Sequence, residues 1–373
     1  MTLALELAAG GRGSVEPNPM VGAVLVREGS AGSPQVELAR GWHRQFGGPH
    51  AEIECLSAAQ AAGLGDQVRG ATLYVTLEPC CHHGKTPPCT DALIAAGIRR
   101  VVVAVEDPDP RVAGRGITAL KAAGIEVTVG VCRDQARRLL APYVKLRTAH
   151  RPWVICKWAQ TAEGLLALPP GLGRWISSAE SREHAHRLRG LCQGVCVGVG
   201  TVVADDPLLT NRSGTGPQPL RIVLDASLRT PRTCRLVATA SQSPVLVATT
   251  SAALAGQGHI AEELTRAGAE VLALPQAAGS PGRPHVDLGA LLDELGRREH
   301  TYLLVEGGAE VLRSFISARL ADELWAFVCP PAGRQAPGPL PRLDIAEIVR
   351  ALDLSAPVEQ SFGPDRLERY VLR

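Results

Sequence analysis

One histidine, two cysteines and a glutamate in the first third of the chain have the residue types and spacing of a catalytic metal site. The segment His50-Ala51-Glu52 precedes Pro79-Cys80, and Cys89 follows after eight intervening residues. Imidazole nitrogen and thiolate sulfur are ligands that zinc prefers, and three protein ligands leave a fourth position open for water, which is the catalytic arrangement. We therefore predict that His50, Cys80 and Cys89 bind a zinc ion.

Glu52 and Cys81 lie beside these ligands but are predicted to have other roles. Residues two apart on a helix do not share a face, so a helix starting after His50 would keep Glu52 out of the ligand set. Its carboxylate could still reach the open position and carry protons there. We prefer Cys80 to Cys81 because Cys80 directly follows Pro79, and we expect Cys81 to be structural. A helix that begins at or near Cys80 would favour its thiolate.

The helices and strands predicted around these residues indicate an α/β domain. The sequence predicts helices over residues 2–11, 51–62, 91–96, 116–123 and 131–146. It predicts strands over residues 20–27, 36–42, 71–77, 100–105 and 125–129. Strands that alternate with helices are typical of a sheet covered on both faces.

The first half of the chain resembles the deaminase half of the bifunctional riboflavin-biosynthesis deaminase/reductase family. The resemblance is carried by residues 17–19, 50–52 and 78–89 and extends from about Leu3 to the C-terminus. It implies a cytidine-deaminase-like three-layer α/β/α fold. It also implies zinc-dependent hydrolytic deamination of 2,5-diamino-6-(5-phosphoribosylamino)pyrimidin-4-one, with Glu52 as the catalytic proton carrier.

The same resemblance implies substrate contacts in two loops. Asn18, in the rigid turn Pro17-Asn18-Pro19, would face the substrate, and Lys85 would contact its ribose phosphate. With Lys85, the side chains of His82, His83 and His43 could form a basic lip for the phosphate. A solvated loop is the alternative interpretation of these histidines.

Composition limits the classes of partner. A length of 373 residues suggests two domains, and a net charge of +2 with only 3% aromatic residues gives no general drive towards nucleic acid. No signal peptide is evident, and no apolar run approaches the roughly 20 residues of a membrane helix. The ten cysteines lack the spacing of a disulfide framework. We expect a cytoplasmic protein that acts on small molecules and binds neither nucleic acid nor membrane, with homo-oligomerisation left open.

The second half of the chain predicts another α/β domain. The boundary is expected near a basic segment flanked by Pro142 and Pro152, which gives domains of residues 1–147 and 148–373. Ser177-Ser178-Ala179-Glu180 has the pattern of a capping box and predicts a helix to Gly190. Strands are predicted over residues 153–158, 195–199, 220–225, 244–249, 271–274, 302–305 and 323–328.

A glycine pair follows one of these strands. Glu306-Gly307-Gly308 joins the strand over residues 302–305 to a helix predicted from Ala309. Glycines there would let backbone amides approach a phosphate at the helix terminus. The alternative to phosphate binding is an ordinary tight turn between a strand and a helix.

The second half is similar to the reductase half of the same family, at residues 157–164, 174–177, 200–212 and 305–308. The resemblance implies a dihydrofolate-reductase-like fold and NADPH-dependent reduction of the ribosyl chain of 5-amino-6-(5-phosphoribosylamino)uracil to ribityl. Position by position, the implied cofactor contacts are Ala159, Trp175, Thr201, Asp205 and Gly308. The implied substrate contacts are Gly173, Arg189, Leu209, Arg212 and Glu306, and the two arginines suit a ribose phosphate.

Two segments depart from the family pattern in this half. Thr161-Ala162-Glu163-Gly164 stands where the family usually has Ser-Leu-Asp-Gly. Pro330-Pro331-Ala332-Gly333 leads into a proline-rich run where the family usually has Pro-Lys-Leu-Leu-Gly-Gly. Either change could alter the grip on the cofactor. Because Asp205, Arg212 and Glu306 are retained, a working reductase is favoured over the alternative of a deaminase with a non-catalytic reductase-like domain.

Two further alternatives belong to other functional classes. A nucleic-acid deaminase with an accessory domain is disfavoured by the near-zero net charge and the scarcity of aromatic residues. A structural zinc domain would need a fourth protein ligand, whereas the sequence places Glu52 beside an open position.

Overall fold

The computed structural model describes residues 1–29, 35–81, 87–109, 112–169, 171–173, 175–214, 216–278, 284–332 and 340–372. The chain forms two compact units, Met1–His150 and Arg151–Arg373. The division predicted between residues 147 and 148 falls inside the last turn of a helix, Arg133–Ala149, which ends at His150 in a left-handed conformation. Among the described residues, no helix has the length and apolar character needed to span a bilayer.

The first unit is built on a five-stranded mixed sheet. Its strands are β1 (Gly22–Arg27), β2 (Val36–Trp42), β3 (Thr72–Val75), β4 (Arg100–Val103) and β5 (Glu126–Val129). Its helices are α1 (Thr2–Ala9), α2 (Ala51–Ala61), α3 (Gly65–Val68), α4 (Cys89–Ala95), α5 (Arg115–Ala122) and α6 (Arg133–Ala149). The sheet order is β2-β1-β3-β4-β5, in which β1 is antiparallel to both neighbours and β3, β4 and β5 are parallel. Every element predicted for this unit is present, and among the elements in its described residues only the single-turn α3 was not predicted.

Alternation along β1 explains why the sheet is covered on both faces. Ala23 and Leu25 belong to the main core, which also contains side chains from α2, α4, α5 and α6. Val24 and Val26 point the other way and pack against α1. Successive strand residues face opposite sides of a sheet, so apolar residues at every position require a helix on each side.

Two glycines let helices lie directly on these strands. A Cβ atom on Gly22 would lie 2.0 Å from the carbonyl oxygen of Ala4 in α1. A Cβ atom on Gly41 would lie 2.4 Å from the backbone nitrogen of Cys55 in α2. Only glycine permits this approach, which brings α2 close to β2.

The second unit is built on a nine-stranded sheet. Its strands are β6 (Trp153–Thr161), β7 (Gly194–Gly198), β8 (Leu220–Leu224), β9 (Val245–Thr250), β10 (Glu270–Leu274), β11 (Tyr302–Val305), β12 (Glu323–Cys329), β13 (Val358–Phe362) and β14 (Asp365–Val371). Its helices are α7 (Ala179–Gly190), α8 (Val199–Asp205), α9 (Arg235–Ala238), α10 (Ser251–Gly256), α11 (Gly258–Arg266), α12 (Leu288–Arg297), α13 (Ala309–Ser317) and α14 (Ile345–Leu352).

Seven of the nine strands are parallel. The order is β10-β9-β8-β7-β11-β6-β12-β14-β13, and the antiparallel hairpin of β13 and β14 closes one edge. The seven parallel strands were predicted, whereas the hairpin was not. In parallel sheets ligands bind beyond the carboxyl ends of the strands, so the residues that follow β6, β7 and β11 are placed at one potential site.

The predicted capping box at the start of α7 is wrong by one residue. Ser178 is the N-cap, and its hydroxyl oxygen accepts a hydrogen bond from the Ser181 amide at 3.2 Å. The carboxylate of Asp365 in β14 accepts hydrogen bonds from the Ser178 amide at 2.7 Å and the Ser181 hydroxyl at 2.6 Å. This contact from a distant strand makes Ser178 rather than Ser177 the N-cap. Glu180 then lies only two residues after the cap, whereas a capping box needs a glutamate three residues after it.

Candidate active sites

The three predicted metal ligands lie together in the first unit. The Nδ1 atom of His50 is 3.5 Å from Cys80 Sγ and 3.3 Å from Cys89 Sγ, and the three ligand atoms lie within 4.8 Å of one another. His50 is the N-cap of α2, Cys89 is the first residue of α4, and Cys80 follows β3. One imidazole and two sulfur ligands at these separations fit a zinc ion with a fourth position left open.

Cys80 was predicted to lie at or near the N-terminus of a helix. Along the chain this is wrong, because α4 begins only at Cys89. The helix nevertheless reaches Cys80 through space: the Cys89 amide donates a hydrogen bond to Cys80 Sγ at 3.3 Å. Hydrogen bonding from the Cys89 thiol, followed by that from His50, lowers the pKa of Cys80 to about 4. Its thiolate, the form that binds metal, is therefore favoured. Cys89 donates to Cys80 and is buried, so its own pKa is raised while no metal is bound.

Glu52 lies in the first turn of α2 and is 3% exposed. Burial and then the neighbouring Cys80 raise its pKa to about 7. A carboxyl group that titrates near neutrality can both accept and donate a proton. Glu52 lines a cavity of about 180 Å³ together with His50 and Cys80. Cys81 is not part of the ligand cluster, and its structural role stays a prediction.

The structure contradicts the predicted place of His43 in a basic lip. His43 is 2% exposed, and burial lowers its pKa, so the ring is neutral near pH 7. Its Nδ1 atom lies 2.8 Å from the Pro49 carbonyl oxygen, which can only accept, so Nδ1 carries the proton. The Nε2 atom, 3.2 Å from Asn18 Nδ2, then accepts from the Asn18 amide. Asn18 does line the cavity, whereas Lys85, His82 and His83 lie outside the described residues.

The wall of this cavity also carries residues that sequence reasoning missed. Asp107, Asp109, Tyr143 and Arg147 all line it. Asp107 Oδ1 accepts a hydrogen bond from the Tyr143 hydroxyl at 3.2 Å and another from the Asp109 amide at 2.9 Å. Burial raises the pKa of Asp107. A signal was present in the sequence, because Asp107 and Asp109 come shortly after the buried strand β4. Nothing local connected them with His50.

In the second unit, Glu306 is the centre of a buried charge cluster. Its Oε2 accepts hydrogen bonds from Arg189 Nη2 at 2.6 Å and Nε at 3.0 Å, and its Oε1 lies 3.8 Å from Lys157 Nζ. Burial alone would raise the pKa of Glu306, but Arg189 and Lys157 outweigh it and hold that pKa below its ordinary value. Burial lowers the pKa of Lys157. Lys157 had been noted only as part of a motif, although a lysine within an apolar strand is itself a signal.

The remaining predicted residues lie on the elements around this cluster. Thr201, in α8, is close to Gly308, because a Cβ atom on Gly308 would lie 3.6 Å from Thr201 Oγ1. Asp205 ends α8, and Leu209 is buried with a left-handed φ of 53°. Arg212 is exposed, and burial together with the like charge of Arg189 lowers its pKa.

Three further predicted contacts lie in β6 or in the segment between β6 and α7. Ala159 pairs with Phe327 between β6 and β12. Trp175 is 57% exposed, with the Arg182 guanidinium 5.0 Å from its ring centroid. Gly173 has a φ of 101°, which a side chain would strain.

One of the two departures from the family pattern is explained by the structure. Thr161 is fully buried, and its hydroxyl oxygen accepts hydrogen bonds from the Glu163 and Leu165 amides, each at 3.3 Å. A threonine hydroxyl can hold this turn as a serine hydroxyl would. In the second departure, Gly333 lies outside the described residues.

Comparisons with known proteins match each half of the chain to a family. Residues 1–105 match the "cytidine and deoxycytidylate deaminase zinc-binding region" and residues 152–337 the "RibD C-terminal domain". The riboflavin biosynthesis protein RibD of Aquifex aeolicus (strain VF5) is 43% identical over 331 residues, 88% of this chain and 86% of the relative. The RibD of Actinobacillus pleuropneumoniae is 36% identical over 374 residues, 100% of this chain and 94% of the relative.

A solved structure is similar over the whole length. The diaminohydroxyphosphoribosylaminopyrimidine deaminase/5-amino-6-(5-phosphoribosylamino)uracil reductase of Thermotoga maritima superposes with a TM-score of 0.80 at 32% sequence identity. The match covers 100% of this chain and 97% of that chain. The α/β fold class, with a cytidine-deaminase-like first half and a dihydrofolate-reductase-like second half, is thereby confirmed.

Proposed function

The chain belongs to the RibD family of riboflavin biosynthesis proteins, and from that premise we propose which reactions its two units catalyse and which residues act in them. It joins a zinc-dependent deaminase to a reductase, and its substrates are small pyrimidines. In the proposal, the first unit hydrolyses an amino group from 2,5-diamino-6-(5-phosphoribosylamino)pyrimidin-4-one. The second unit then reduces the ribosyl chain of 5-amino-6-(5-phosphoribosylamino)uracil to ribityl with NADPH.

The observation that carries the proposal is the cluster of His50, Cys80 and Cys89. A buried Glu52 lines one cavity together with His50 and Cys80. The three ligands fit zinc, which when bound there would lower the pKa of a coordinated water towards neutrality. Glu52 takes a proton from the attacking water and passes it to the ring nitrogen. It then takes the second proton from the added hydroxyl group and gives it to the amino group, which leaves as ammonia. A carboxyl group whose pKa is raised to about 7 suits both directions of transfer.

Asn18 and Asp107 are proposed to orient the pyrimidine in this cavity. His43 uses the Asn18 amide hydrogen as its partner, so the Asn18 carbonyl oxygen remains available to accept from a ring or exocyclic N–H. Asp107 presents a second acceptor to the same cavity. A diaminopyrimidine is rich in N–H donors and so matches a wall of acceptors. Lys85 is proposed, from the family pattern alone, to contact the phosphate.

In the second unit, the cluster around Glu306 is proposed to hold the ribose. NADPH would supply the hydride. Lys157, whose pKa burial lowers, is suited to give a proton to the sugar oxygen as the ring opens. Arg189 holds Glu306 in place, and Arg212 is exposed and available to a phosphate. The remaining substrate contacts are proposed to be Gly173, Leu209 and Glu306, and the cofactor contacts Ala159, Trp175, Thr201, Asp205 and Gly308.

The location and partners of the enzyme are proposed from its cysteines and its charge. All ten cysteines are free, which is typical of a reducing compartment and supports a cytoplasmic location. The near-neutral charge supports small-molecule substrates without a nucleic-acid partner. Self-association is compatible with this proposal and would be measured by sedimentation.

The proposal is tested by following the products by mass. Purified zinc-loaded protein is incubated with the phosphoribosyl diaminopyrimidine, with and without NADPH. Without NADPH we expect only the deaminated uracil, and with NADPH the ribitylamino product. The Glu52→Gln variant should keep its zinc, lose deamination by about 100-fold or more, and still reduce deaminated substrate. If active deaminase gives no ribitylamino product from deaminated substrate and excess NADPH, the second unit is not a reductase and the deaminase-only alternative replaces the proposal.

A further inference from the structure

Glu78 has a set of hydrogen bonds that the proposed chemistry does not use. It is 3% exposed, and its carboxylate accepts from four backbone amides. Oε2 accepts from Asp107 at 3.1 Å and Gly114 at 2.9 Å. Oε1 accepts from Gly116 at 2.8 Å and Ile117 at 3.1 Å. All four donors belong to one stretch of chain that leaves β4 and enters α5.

The position of Glu78 in the chain gives these bonds a consequence for the metal site. Glu78 stands two residues before the ligand Cys80, and its own amide donates to the Val105 carbonyl oxygen at 3.0 Å. The carboxylate therefore joins the ligand-bearing segment to the segment that carries Asp107. Glu78 and Asp107 both line the cavity with Cys80, so the two joined segments form adjoining parts of its wall.

The two segments are also packed without space between them. A Cβ atom on Gly116 would lie 2.1 Å from the Pro79 carbonyl oxygen and 3.2 Å from Glu78 Oε1. Gly116 is thus placed directly against the residue that precedes Cys80. Both the hydrogen bonds and the close backbone contact set the distance from the metal ligands to Asp107.

We propose that Glu78 is a positioning residue for deamination, whose carboxylate holds Asp107 at the distance from the metal ligands that the pyrimidine requires. The proposal rests on the deaminase function proposed above. Glu78 itself touches no reacting atom in this scheme. It acts through Asp107, and its effect should fall on substrate binding rather than on proton transfer by Glu52.

The Glu78→Gln variant tests this proposal, because it keeps the size of the side chain and replaces one acceptor oxygen by a donor facing backbone N–H groups. Hydrogen bonds to a charged acceptor are strong enough that losing one corresponds to roughly tenfold in an equilibrium constant. We expect the KM for the diaminopyrimidine to rise about tenfold, with little change in kcat, about one zinc per chain, and normal reduction of deaminated substrate. Asp287→Asn, which alters a carboxylate cap of α12 in the other unit, is the matched control and should leave the deaminase KM unchanged.

A double-mutant comparison separates positioning from a general loss of stability. If Glu78 acts through Asp107, then Glu78→Gln should add little to the KM of an Asp107→Asn variant. Independent, additive effects on KM would overturn the proposal, as would a Glu78→Gln enzyme with unchanged KM. A loss of kcat accompanied by loss of zinc would overturn it too, because Glu78 would then support the ligands rather than Asp107.

Gly116→Ala provides a second perturbation if Glu78→Gln does not fold. It leaves the charge in place and forces the same two segments apart at Pro79. The expected result is again a raised KM with zinc retained, and an unchanged KM would overturn the proposal. Failure of the wild-type protein to deaminate would instead refute the proposed function, so the two failures are distinguishable.

Discussion

Replacing Gly41 by alanine should damage deamination through a movement of α2. The new Cβ atom would lie 2.4 Å from the backbone nitrogen of Cys55, 2.7 Å from the carbonyl oxygen of Ala51 and 2.9 Å from the carbonyl carbon of Glu54. All three atoms are backbone, so no side-chain rotation can relieve the contact. Since ordinary contacts begin at 3.4 Å, the helix must shift from β2 by about 1 Å.

That shift acts on the site because α2 begins after His50 and carries Glu52. The Nδ1 atom of His50 is 3.3 Å from Cys89 Sγ and 3.5 Å from Cys80 Sγ, separations that a 1 Å movement changes substantially. Misplacement of a reacting group by 1 Å can cost about 100-fold in rate. Overpacking of this kind also costs about 1–3 kcal/mol of folding stability. We therefore expect deamination to fall by about 100-fold while the protein remains folded.

The assay measures deamination, reduction of deaminated substrate, zinc content and melting temperature on the same preparation. Reduction should persist, because Gly41 lies in the first unit. Gly258→Ala is the matched control: a Cβ atom there meets nothing within 4 Å, so it should change stability by no more than about 1 kcal/mol. A Gly41→Ala protein that deaminates at the wild-type rate would refute the argument that the close approach of α2 to β2 sets the site.

Three other predictions follow from the sites. Cys81→Ser should retain about one zinc per chain and Cys80→Ser should lose it, as measured by metal analysis; the reverse result would contradict the ligand assignment. Arg212→Ala should raise the KM for the deaminated substrate at least about tenfold with little change in melting temperature, because an arginine–phosphate contact is charge-assisted and Arg212 is exposed. In metal-free protein, burial raises the pKa of Glu52 from 4.5 to about 7, so the folded state binds the carboxyl proton more tightly than the unfolded state does. The contribution of this bound proton to the free energy of unfolding is therefore lost as the pH rises from 4.5 through 7. The difference in melting temperature between metal-free Glu52→Gln and metal-free wild type should therefore increase in favour of the variant from pH 4.5 to about 7 and then stay constant. If the two melting temperatures instead follow the same pH dependence, the pKa of Glu52 is not raised.

The chemistry of the first site was predictable because it depends on residue types in a fixed order. His50, Glu52, Cys80 and Cys89 carry groups that few other functions need together, and each lies just outside or at the start of a predicted element. The elements themselves were predictable where apolar residues run without interruption, as in β1 and in the parallel strands of the second unit. Local periodicity and composition are properties of a short stretch of chain, so they can be read directly from the sequence.

The contacts between distant segments were decided by the tertiary structure. Asp107 is 57 residues from His50 in the chain and reaches the same cavity only because β3 and β4 are parallel neighbours. The sequence suggested an exposed basic role for His43, whereas burial and the Pro49 carbonyl make it a neutral partner of Asn18.

Helix caps and strand pairing also could not be predicted from the local sequence. Asp365 selects the cap of α7 from almost two hundred residues away. The strand on which it lies, β14, was not predicted because four charged residues interrupt its apolar ones. Glu78 could be recognised as part of a motif, but its four amide partners follow β4 and could not be read from that motif. Hydrogen bonds and packing across such separations depend on which elements become neighbours, and that is settled by the whole fold rather than by any local pattern.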